Sequence, residues 1–324
     1  MDWNGEVMSK QQPVLCLGEA LIDVVVRGDS REEHVGGSLL NVAAGIASLG
    51  HPASICAWWG RDERGTRLAE WATSSGVTIV PGTNSAKRTA VAIAQLDAEG
   101  RATYEFDLEW EVPPTLDLAP YGHLHTGSIA ATLEPGGSAV MDAVRRIKPN
   151  ATVSYDPNIR PALMGTPEHV RGRVEELVGL SDLVKVSDED LAWLYPEEPV
   201  EQIMRRWIES GPAMVVVTRG PWGAYALLAN NRDMLHIDQL TVALADTVGA
   251  GDSFMAGLIA GLLDAGLLGS PDARQRLWDA GWSRVQPALH NAVVTSGITV
   301  SKHGAYAPGP DEVAAVKQAD PRLN

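Results

Sequence analysis

The sequence predicts an α/β protein: a mostly parallel sheet flanked by helices, with a small β-sheet as a lid. Short apolar, strand-like runs alternate with helical patterns along most of the 324 residues. This alternation is the order of βαβ units around a parallel sheet. Two segments break it, because they contain strand-like residues with no helical pattern beside them. Those two segments predict the lid.

Several of the predicted core strands are continuous apolar runs, as expected for strands covered on both faces. In chain order they are PVLCLGEA, PASICAWWG, GHLHTGS, ATVSYD, DLVKVS and AMVVVTRG. Helical patterns lie in LLNVAAGIASLG, GGSAVMDAVRRIK, EHVRGRVEELVGL and VEQIMRRWIES, and apolar residues recur at helical spacing from Phe254 onward. We therefore expect a core of residues 12–22, 36–88 and 111–324, preceded by a flexible N-terminus of residues 1–11.

The lid is predicted from residues 23–35 and 89–110. The first segment, DVVVRGDSREEHV, begins with strand residues and then turns polar. The second, TAVAIAQLDAEGRATYEFDLEW, alternates apolar and polar residues on both sides of DAEG, which indicates an antiparallel hairpin. Because such a sheet leaves one face uncovered, it favours a homodimer formed through the lid.

Composition excludes several classes of function. The chain has 41 acidic and 26 basic residues and a net charge of −15, whereas nucleic-acid binding needs clustered Lys and Arg. No run approaches the ~18 uncharged apolar residues of a membrane span, and the polar N-terminus lacks the apolar part of a signal peptide. Cys16 and Cys56 lie in apolar strand-like runs, not in a disulfide pattern. We expect a cytoplasmic protein that binds neither nucleic acid nor membrane.

The stretch DTVGAGDSFMAG, residues 246–257, suggests a reaction. Gly249, Ala250 and Gly251 let backbone amides converge at the start of a predicted helix, whose dipole adds partial positive charge, so the turn can bind an anion. Asp252 would repel that anion unless it accepts a proton from a nucleophile beside it. That combination suggests transfer of a charged group to a hydroxyl. Asp is also a common N-cap, and the local sequence leaves both interpretations open.

Other motifs for nucleotides and hydrolysis are absent from the sequence. It contains no G-x-x-x-x-G-K-[ST] loop and no H-R-D or D-F-G, and GAGDSF lacks the third glycine of G-x-G-x-x-G. H-E-x-x-H and G-x-S-x-G are also absent, which excludes the common zinc-protease and hydrolase classes.

A second glycine stretch, HVGGSLLN, follows the first lid segment. The two stretches together resemble the ribokinase-like carbohydrate kinases, the PfkB family, over residues 14–310. The matching motifs are GEALID, GGSLLN, DPNIRPALM, KVSDEDL, TRGPWGA, DTVGAGDSFMAG and NAVVTSGITVSKHGA. GAGD together with GGxxxN is specific to this family. DPNIR and KVSDEDL are most similar to its fructokinase branch, with the 2-keto-3-deoxygluconate kinases nearby.

The resemblance implies ATP-dependent phosphorylation of a sugar hydroxyl. Asp252 would accept the proton of that hydroxyl, as a general base. The amides of Gly249, Ala250 and Gly251 would stabilise charge on the transferring phosphoryl group.

The resemblance also implies a set of sugar-binding residues: Asp23, Gly36, Gly37 and Asn41. Tyr104 and Phe106 share one face of the lid hairpin and could close over the sugar, although packing of the lid on the core explains them almost as well. Arg160 follows the strand ATVSYD, at the end of the sheet where ligands bind in such folds. Its guanidinium suits a phosphate or an anionic substrate, with a surface ion pair as the alternative.

On the nucleotide side, the resemblance implies binding by Lys185, Thr218, Gly220, Gly223 and Asn291. Many members organise Mg²⁺ with N-x-x-E, whereas this chain has Ser187 and Asp190 at the ends of that motif. The shorter Asp190 carboxylate can still hold metal-bound water. Asp246 and the segment around Gly304 match loops that bind a monovalent cation such as K⁺ in some members.

The leading interpretation is a fructokinase that converts fructose to fructose 6-phosphate. A 2-keto-3-deoxygluconate kinase or a ribokinase is the alternative enzyme, and a sugar alcohol or a nucleoside is a further alternative substrate. The lid run YEFDLEWEVPP is acidic and contains no Arg, which favours a neutral sugar, although Arg160 could still supply positive charge. A catalytically idle sugar- or nucleotide-binding regulator is the non-enzymatic alternative, but Asp252, Gly251 and Asn41 are all present.

Overall fold

A computed structural model describes residues 12–96 and 102–323, apart from the side chains of Leu96, Ala102 and Tyr104. Three expectations lie outside these described parts: the flexible N-terminus at residues 1–11, the DAEG turn at residues 97–100, and the contact of the Tyr104 side chain with the sugar.

Thirteen strands and eleven α-helices are formed by the described residues. The strands are β1 (Val14–Leu17), β2 (Leu21–Arg27), β3 (Ser30–Gly36), β4 (Ala53–Cys56), β5 (Thr78–Ile79), β6 (Val91–Leu96), β7 (Ala102–Asp107), β8 (His123–Gly127), β9 (Thr152–Asp156), β10 (Leu183–Ser187), β11 (Met214–Thr218), β12 (Ala224–Leu228) and β13 (Leu235–Ile237). The helices are α1 (Ser38–Ser48), α2 (Glu63–Ser74), α3 (Gly136–Ile147), α4 (Pro161–Met164), α5 (Pro167–Leu180), α6 (Asp188–Leu194), α7 (Val200–Ser210), α8 (Ala250–Asp264), α9 (Pro271–Trp278), α10 (Trp282–Val300) and α11 (Pro310–Ala319). Within the described ranges, no helix is long and apolar enough to cross a membrane.

Nine strands form the main sheet, in the order β13-β12-β11-β10-β9-β8-β1-β4-β5. The strands from β11 to β5 pair in parallel, and β12 and β13 extend one edge in antiparallel. The inner strands β8 and β9 are buried along their whole length. This is because α1, α8 and α10 pack on one face of the sheet, and α3, α5 and α7 pack on the other. The predicted fold class is therefore confirmed.

Four further strands form a small separate sheet, in the order β3-β2-β6-β7. The pairs β2/β3 and β6/β7 are antiparallel, and β2/β6 is parallel. Arg64 and Arg67 of α2 bind Glu33 on the edge strand β3, with 2.8 Å between Arg67 Nη1 and Glu33 Oε2. The hydrogen bonds from Arg64, followed by those from Arg67, hold the pKa of Glu33 down to about 2. The small sheet is thus tied to the core through its edge strand.

Candidate active site

A cavity of about 570 Å³ lies between the small sheet and the end of the main sheet. Its walls come from the β1–β2 turn, the start of α1, strands β6 and β7, the loop after β9 and the start of α8. This is the carboxyl end of the parallel strands, where open α/β sheets bind ligands. The sequence-predicted site residues that line the cavity are Asp23, Gly37, Asn41, Phe106, Arg160, Gly249, Ala250, Gly251 and Asp252.

Asp252 is held by side chains distant in sequence. Its Oδ1 accepts a hydrogen bond from Ser38 Oγ at 2.6 Å, and its Oδ2 accepts one from Asn41 Nδ2 at 2.8 Å. The N-cap of α8 is Gly249, without a side-chain capping hydrogen bond. The alternative that Asp252 merely caps its helix is therefore wrong, because both carboxylate oxygens are directed to α1.

The surroundings of Asp252 make it a better proton acceptor than an ordinary carboxylate. Burial raises its pKa, and the hydrogen bonds from Ser38 and Asn41 and the charge of Lys185 oppose that rise only in part. Carboxylates with raised pKa values in a cleft are typical of general acid–base sites.

The turn before α8 combines two sources of positive potential. Gly249 has left-handed backbone (φ 76°), and a Cβ there would lie 2.7 Å from Ala305 Cα, so the turn requires glycine. A Cβ on Gly251 would lie 3.1 Å from Lys185 Nζ, which places the ammonium group against the turn. Lys185 is buried and pairs with the buried Asp156 at 2.6 Å. The helix N-terminus and the lysine together can bind a phosphate group.

Two glycines bring the other half of the site together. A Cβ on Gly36 would lie 2.0 Å from Asp23 Oδ2, and a Cβ on Gly37 (φ 112°) would lie 2.6 Å from the Glu19 carbonyl oxygen. Strand β2 can therefore approach the start of α1 closely. This approach places the exposed Asp23 carboxylate and Asn41 at the same cavity.

None of the predicted nucleotide-binding residues lines this cavity, although Lys185 lies against Gly251 in its wall. Thr218, Gly220 and Gly223 lie at the turn between β11 and β12, where a Cβ on Gly223 would lie 2.0 Å from the Ile237 carbonyl oxygen. On α10, Asn291 donates from Nδ2 to the Gly257 carbonyl oxygen of α8 at 2.9 Å. Their role in nucleotide binding stays a prediction.

The two predicted metal residues have different surroundings. Asp190 Oδ1 accepts from the Ile159 amide at 3.0 Å, and burial followed by the charge of Asp156 raises the pKa of Asp190. Asp246 accepts from the amides of Val248 and Gly304, at 3.1 and 2.9 Å. The described part of the chain contains no cluster of three or more His, Cys, Asp or Glu side chains that could hold a metal.

Sequence reasoning missed four residues at the site, namely Glu19, Ser38, Asp156 and Asn158. They lie in GEALID, GGSLLN and DPNIR. A polar residue at the end of a strand or within two residues after it, or directly after a glycine pair, is the signal that could have found them. Ser38 and Asn158 line the cavity and are joined by a hydrogen bond of 3.0 Å between Asn158 Nδ2 and Ser38 Oγ.

Glu19 is a buried acid in the cavity wall, with 7% of its surface exposed. Burial raises its pKa to about 7, despite a hydrogen bond from Ser128. Ser128 also lines the cavity and has left-handed backbone (φ 54°), a conformation that non-glycine residues rarely adopt. Glu19 therefore changes charge near neutral pH.

We expect Glu19→Gln to change how stability depends on pH. Because the folded-state pKa of Glu19 exceeds its ordinary value of 4.5, its protonated form stabilises the fold. That contribution is complete below pH 4.5 and is lost as pH rises through about 7. Relative to the variant, the wild type should lose about 3 kcal/mol of unfolding free energy over this interval. Urea unfolding of both proteins at pH 5 and pH 8 measures the change, and parallel pH profiles would contradict it.

Comparisons with known proteins identify the family of this chain. The chain matches the family described as "pfkB family carbohydrate kinase" over residues 11–312. It is 32% identical over 262 residues to the fructokinase of Rhizobium leguminosarum bv. trifolii, across 77% of this chain and 79% of that relative. The structure of the ATP-bound fructokinase of Xylella fastidiosa has the same fold, with a TM-score of 0.81 at 21% identity, across 96% of this chain and all of that one. The structure of the Vibrio cholerae O395 fructokinase in its fructose-, ADP- and calcium-bound form gives a TM-score of 0.75 at 25% identity. The match covers 94% of this chain and 98% of that one. The chain therefore belongs to the pfkB family of carbohydrate kinases and is an ATP-dependent sugar kinase.

Proposed function

We propose that the protein is a fructokinase, which transfers the terminal phosphoryl group of ATP to fructose and gives fructose 6-phosphate and ADP. The contact that joins Asp252 to Ser38 and Asn41 carries this proposal. It supports the proposal because it joins Asp252, the proposed proton acceptor, to α1 at a cavity that Asp23 and the Gly249–Gly251 turn also line.

In the proposed reaction Asp252 accepts the proton of the sugar hydroxyl. The hydroxyl oxygen forms a bond to the terminal phosphorus as the bond to the ADP oxygen breaks. The amides of Gly249, Ala250 and Gly251, together with the Lys185 ammonium, offset the negative charge on the transferring group. Such positioning and electrostatic stabilisation is the main source of catalysis in phosphoryl transfer.

The charges around the cavity favour a neutral sugar over a sugar acid. Asp23, Glu19 and Asp252 contribute carboxyl groups to its wall, and Arg160 contributes a guanidinium group. Arg160 Nη1 donates to the Ile159 carbonyl oxygen at 3.0 Å, so it is partly engaged by its own loop. A carboxylate on the substrate would meet more acidic than basic side chains in this wall, which costs binding energy. The fructokinase relatives support fructose among the neutral sugars.

The acidic residues near Lys185 fit a Mg²⁺ ion that arrives with the nucleotide. Asp156 Oδ1 is buried and has no hydrogen-bond partner among the described residues, and the charge of Asp156 acts on Asp190. These two carboxylates would hold the ion through its waters, as is usual for Mg²⁺ bound to nucleotide phosphates. The ion would neutralise phosphate charge during transfer. Asp246 accepts a hydrogen bond from the Gly304 amide, which holds residue 304 against the segment before α8. Backbone oxygens there would coordinate K⁺.

Measurement of ADP formation with MgATP and a panel of acceptors tests the proposal. The panel is fructose, ribose, a sugar alcohol, a nucleoside and 2-keto-3-deoxygluconate. We expect the highest kcat/KM with fructose and at least tenfold less with the sugar acid, since a site discriminates by differential binding in the transition state. A higher kcat/KM for the sugar acid would contradict the assignment. Tight sugar binding without turnover for any acceptor would instead support the idle regulator.

A further inference from the structure

Three segments of the chain meet in a line of hydrogen bonds behind the Asp252 carboxylate. Asn158, in the loop after β9, donates from Nδ2 to Ser38 Oγ at 3.0 Å. Ser38, the first residue of α1, donates from Oγ to Asp252 Oδ1 at 2.6 Å. All three residues line the cavity.

The direction of these bonds fixes the hydroxyl proton of Ser38. A serine hydroxyl has one proton to donate and can accept through its lone pairs. The Asn158 amide group occupies an acceptor position, and the carboxylate, which can only accept when ionised, takes the proton. The short 2.6 Å distance is typical of an O–H···O⁻ bond, which is stronger than a bond between neutral groups.

The backbone of Asn158 indicates that this placement is not incidental. Its φ of 39° is left-handed, a region that Asn tolerates better than most residues but at a cost. Such conformations persist where the surroundings hold them, and they cluster at functional sites. Here the unusual backbone directs an amide group towards Ser38.

We infer that Ser38 and Asn158 are positioning residues for Asp252: Asn158 orients the Ser38 hydroxyl, and that hydroxyl fixes the carboxylate in the orientation that receives the substrate proton. The inference rests on the proposed role of Asp252 as the base. Each carboxylate oxygen accepts one of the two hydrogen bonds, which leaves further lone pairs for the hydroxyl of the sugar.

The same contact also affects the basicity of Asp252. Burial raises the pKa of Asp252, and among the opposing effects the hydrogen bond from Ser38 is the largest, followed by the hydrogen bond from Asn41 and the charge of Lys185. The charge of Asp156 acts in the raising direction, and Glu19 is a further acid whose charge interacts with Asp252. Loss of the Ser38 hydroxyl therefore raises the pKa of Asp252 and moves the acid limb of the kcat profile to higher pH.

The test compares Ser38→Ala, Ser38→Thr, Asn158→Gly and the double variant Ser38→Ala/Asn158→Gly with wild type, using MgATP and fructose. Glycine at position 158 keeps the left-handed backbone accessible while removing the amide group. Ser48→Ala is the matched control, because Ser48 lies at the other end of α1 and donates to the Pro308 carbonyl oxygen at 3.1 Å. Thermal unfolding shows which variants fold, and Asn158→Gly keeps the inference testable if Ser38→Ala does not fold.

For Ser38→Ala we expect kcat to fall about tenfold. The acid limb of its pH profile should move to higher pH by about one pH unit, as loss of one charge-assisted hydrogen bond implies. The sugar KM should change less than about twofold, since the contact acts on the base. Ser38→Thr should restore both quantities. Asn158→Gly should shift them in the same direction by less, and the double variant should match Ser38→Ala, because the two residues act through one contact.

Two outcomes overturn the inference, and they are distinct from failure of the proposed function. A folded Ser38→Ala variant with wild-type kcat and pH profile overturns it, provided that Asp252→Asn is inactive. Additive effects in the double variant also overturn it, because they would show two independent structural roles. By contrast, an inactive wild type, or an active Asp252→Asn variant, would overturn the proposed function itself.

Discussion

Asp252→Asn is expected to lower kcat by about 10²–10⁴-fold, the usual contribution of a general base. The amide group cannot accept the proton of the sugar hydroxyl, and among the described residues Ser38 and Asn41 donate side-chain hydrogen bonds to no other carboxylate. The amides of the Gly249–Gly251 turn are unchanged, so MgATP should still bind. Single-turnover phosphorylation and ATP titration measure the two effects separately.

The fold should tolerate this change because the site can rearrange its hydrogen bonds. The new amide nitrogen would face Asn41 Nδ2, which is also a donor. Asn41 Oδ1 is buried without a hydrogen-bond partner in the described ranges, so a flip of the Asn41 amide would present an acceptor instead. We expect a melting temperature within a few degrees of wild type. Near-normal turnover would contradict the base assignment, whereas a loss that follows global unfolding would leave the assignment without this support.

The sequence predicts the main elements of the fold because their residues carry local signals. Strand β1 and most of β11 are continuous apolar runs, and the apolar spacing after Phe254 predicts α8. Helix α10 is different, because Pro287 and Gly297 interrupt its pattern. The parallel pairing of β2 with β6 is also not visible in either segment, since alternation fixes which face a side chain takes but not which strand lies beside it.

The same distinction applies to the site. Residues with a local sequence signal can be predicted, whereas residues that matter through contacts distant in sequence cannot. The glycines at positions 37 and 249 were found because a positive φ or a close backbone approach demands them. Ser38 and Asn158 were missed because their partners lie 214 and 120 residues away along the chain. An ordinary serine or asparagine carries no pattern that reveals such a contact. Only the fold brings the three segments together.

Lys185→Met is expected to reduce both stability and phosphoryl transfer. The lysine and Asp156 form a buried pair, with 5% and 3% of their side chains exposed and 2.6 Å between Nζ and Oδ2. Removing the ammonium group leaves a buried carboxylate without its partner, which costs about 3–5 kcal/mol of unfolding free energy. It also removes positive charge beside Gly251, and loss of one such group lowers kcat by about 10²-fold or more.

The double variant Lys185→Met/Asp156→Asn separates these two effects. Neutralising Asp156 removes the unpaired buried charge, so the double variant should recover most of the stability that the single variant loses. It should not recover phosphorylation, because the ammonium group beside the proposed phosphate-binding turn is still missing and the Asp156 carboxylate proposed to hold Mg²⁺ is neutralised. Urea unfolding and kcat measurements on wild type, Lys185→Met and the double variant distinguish the effect on stability from the effect on phosphoryl transfer. If activity returned together with stability, Lys185 would act only through the packing of β10, and the turn before α8 would bind phosphate without it.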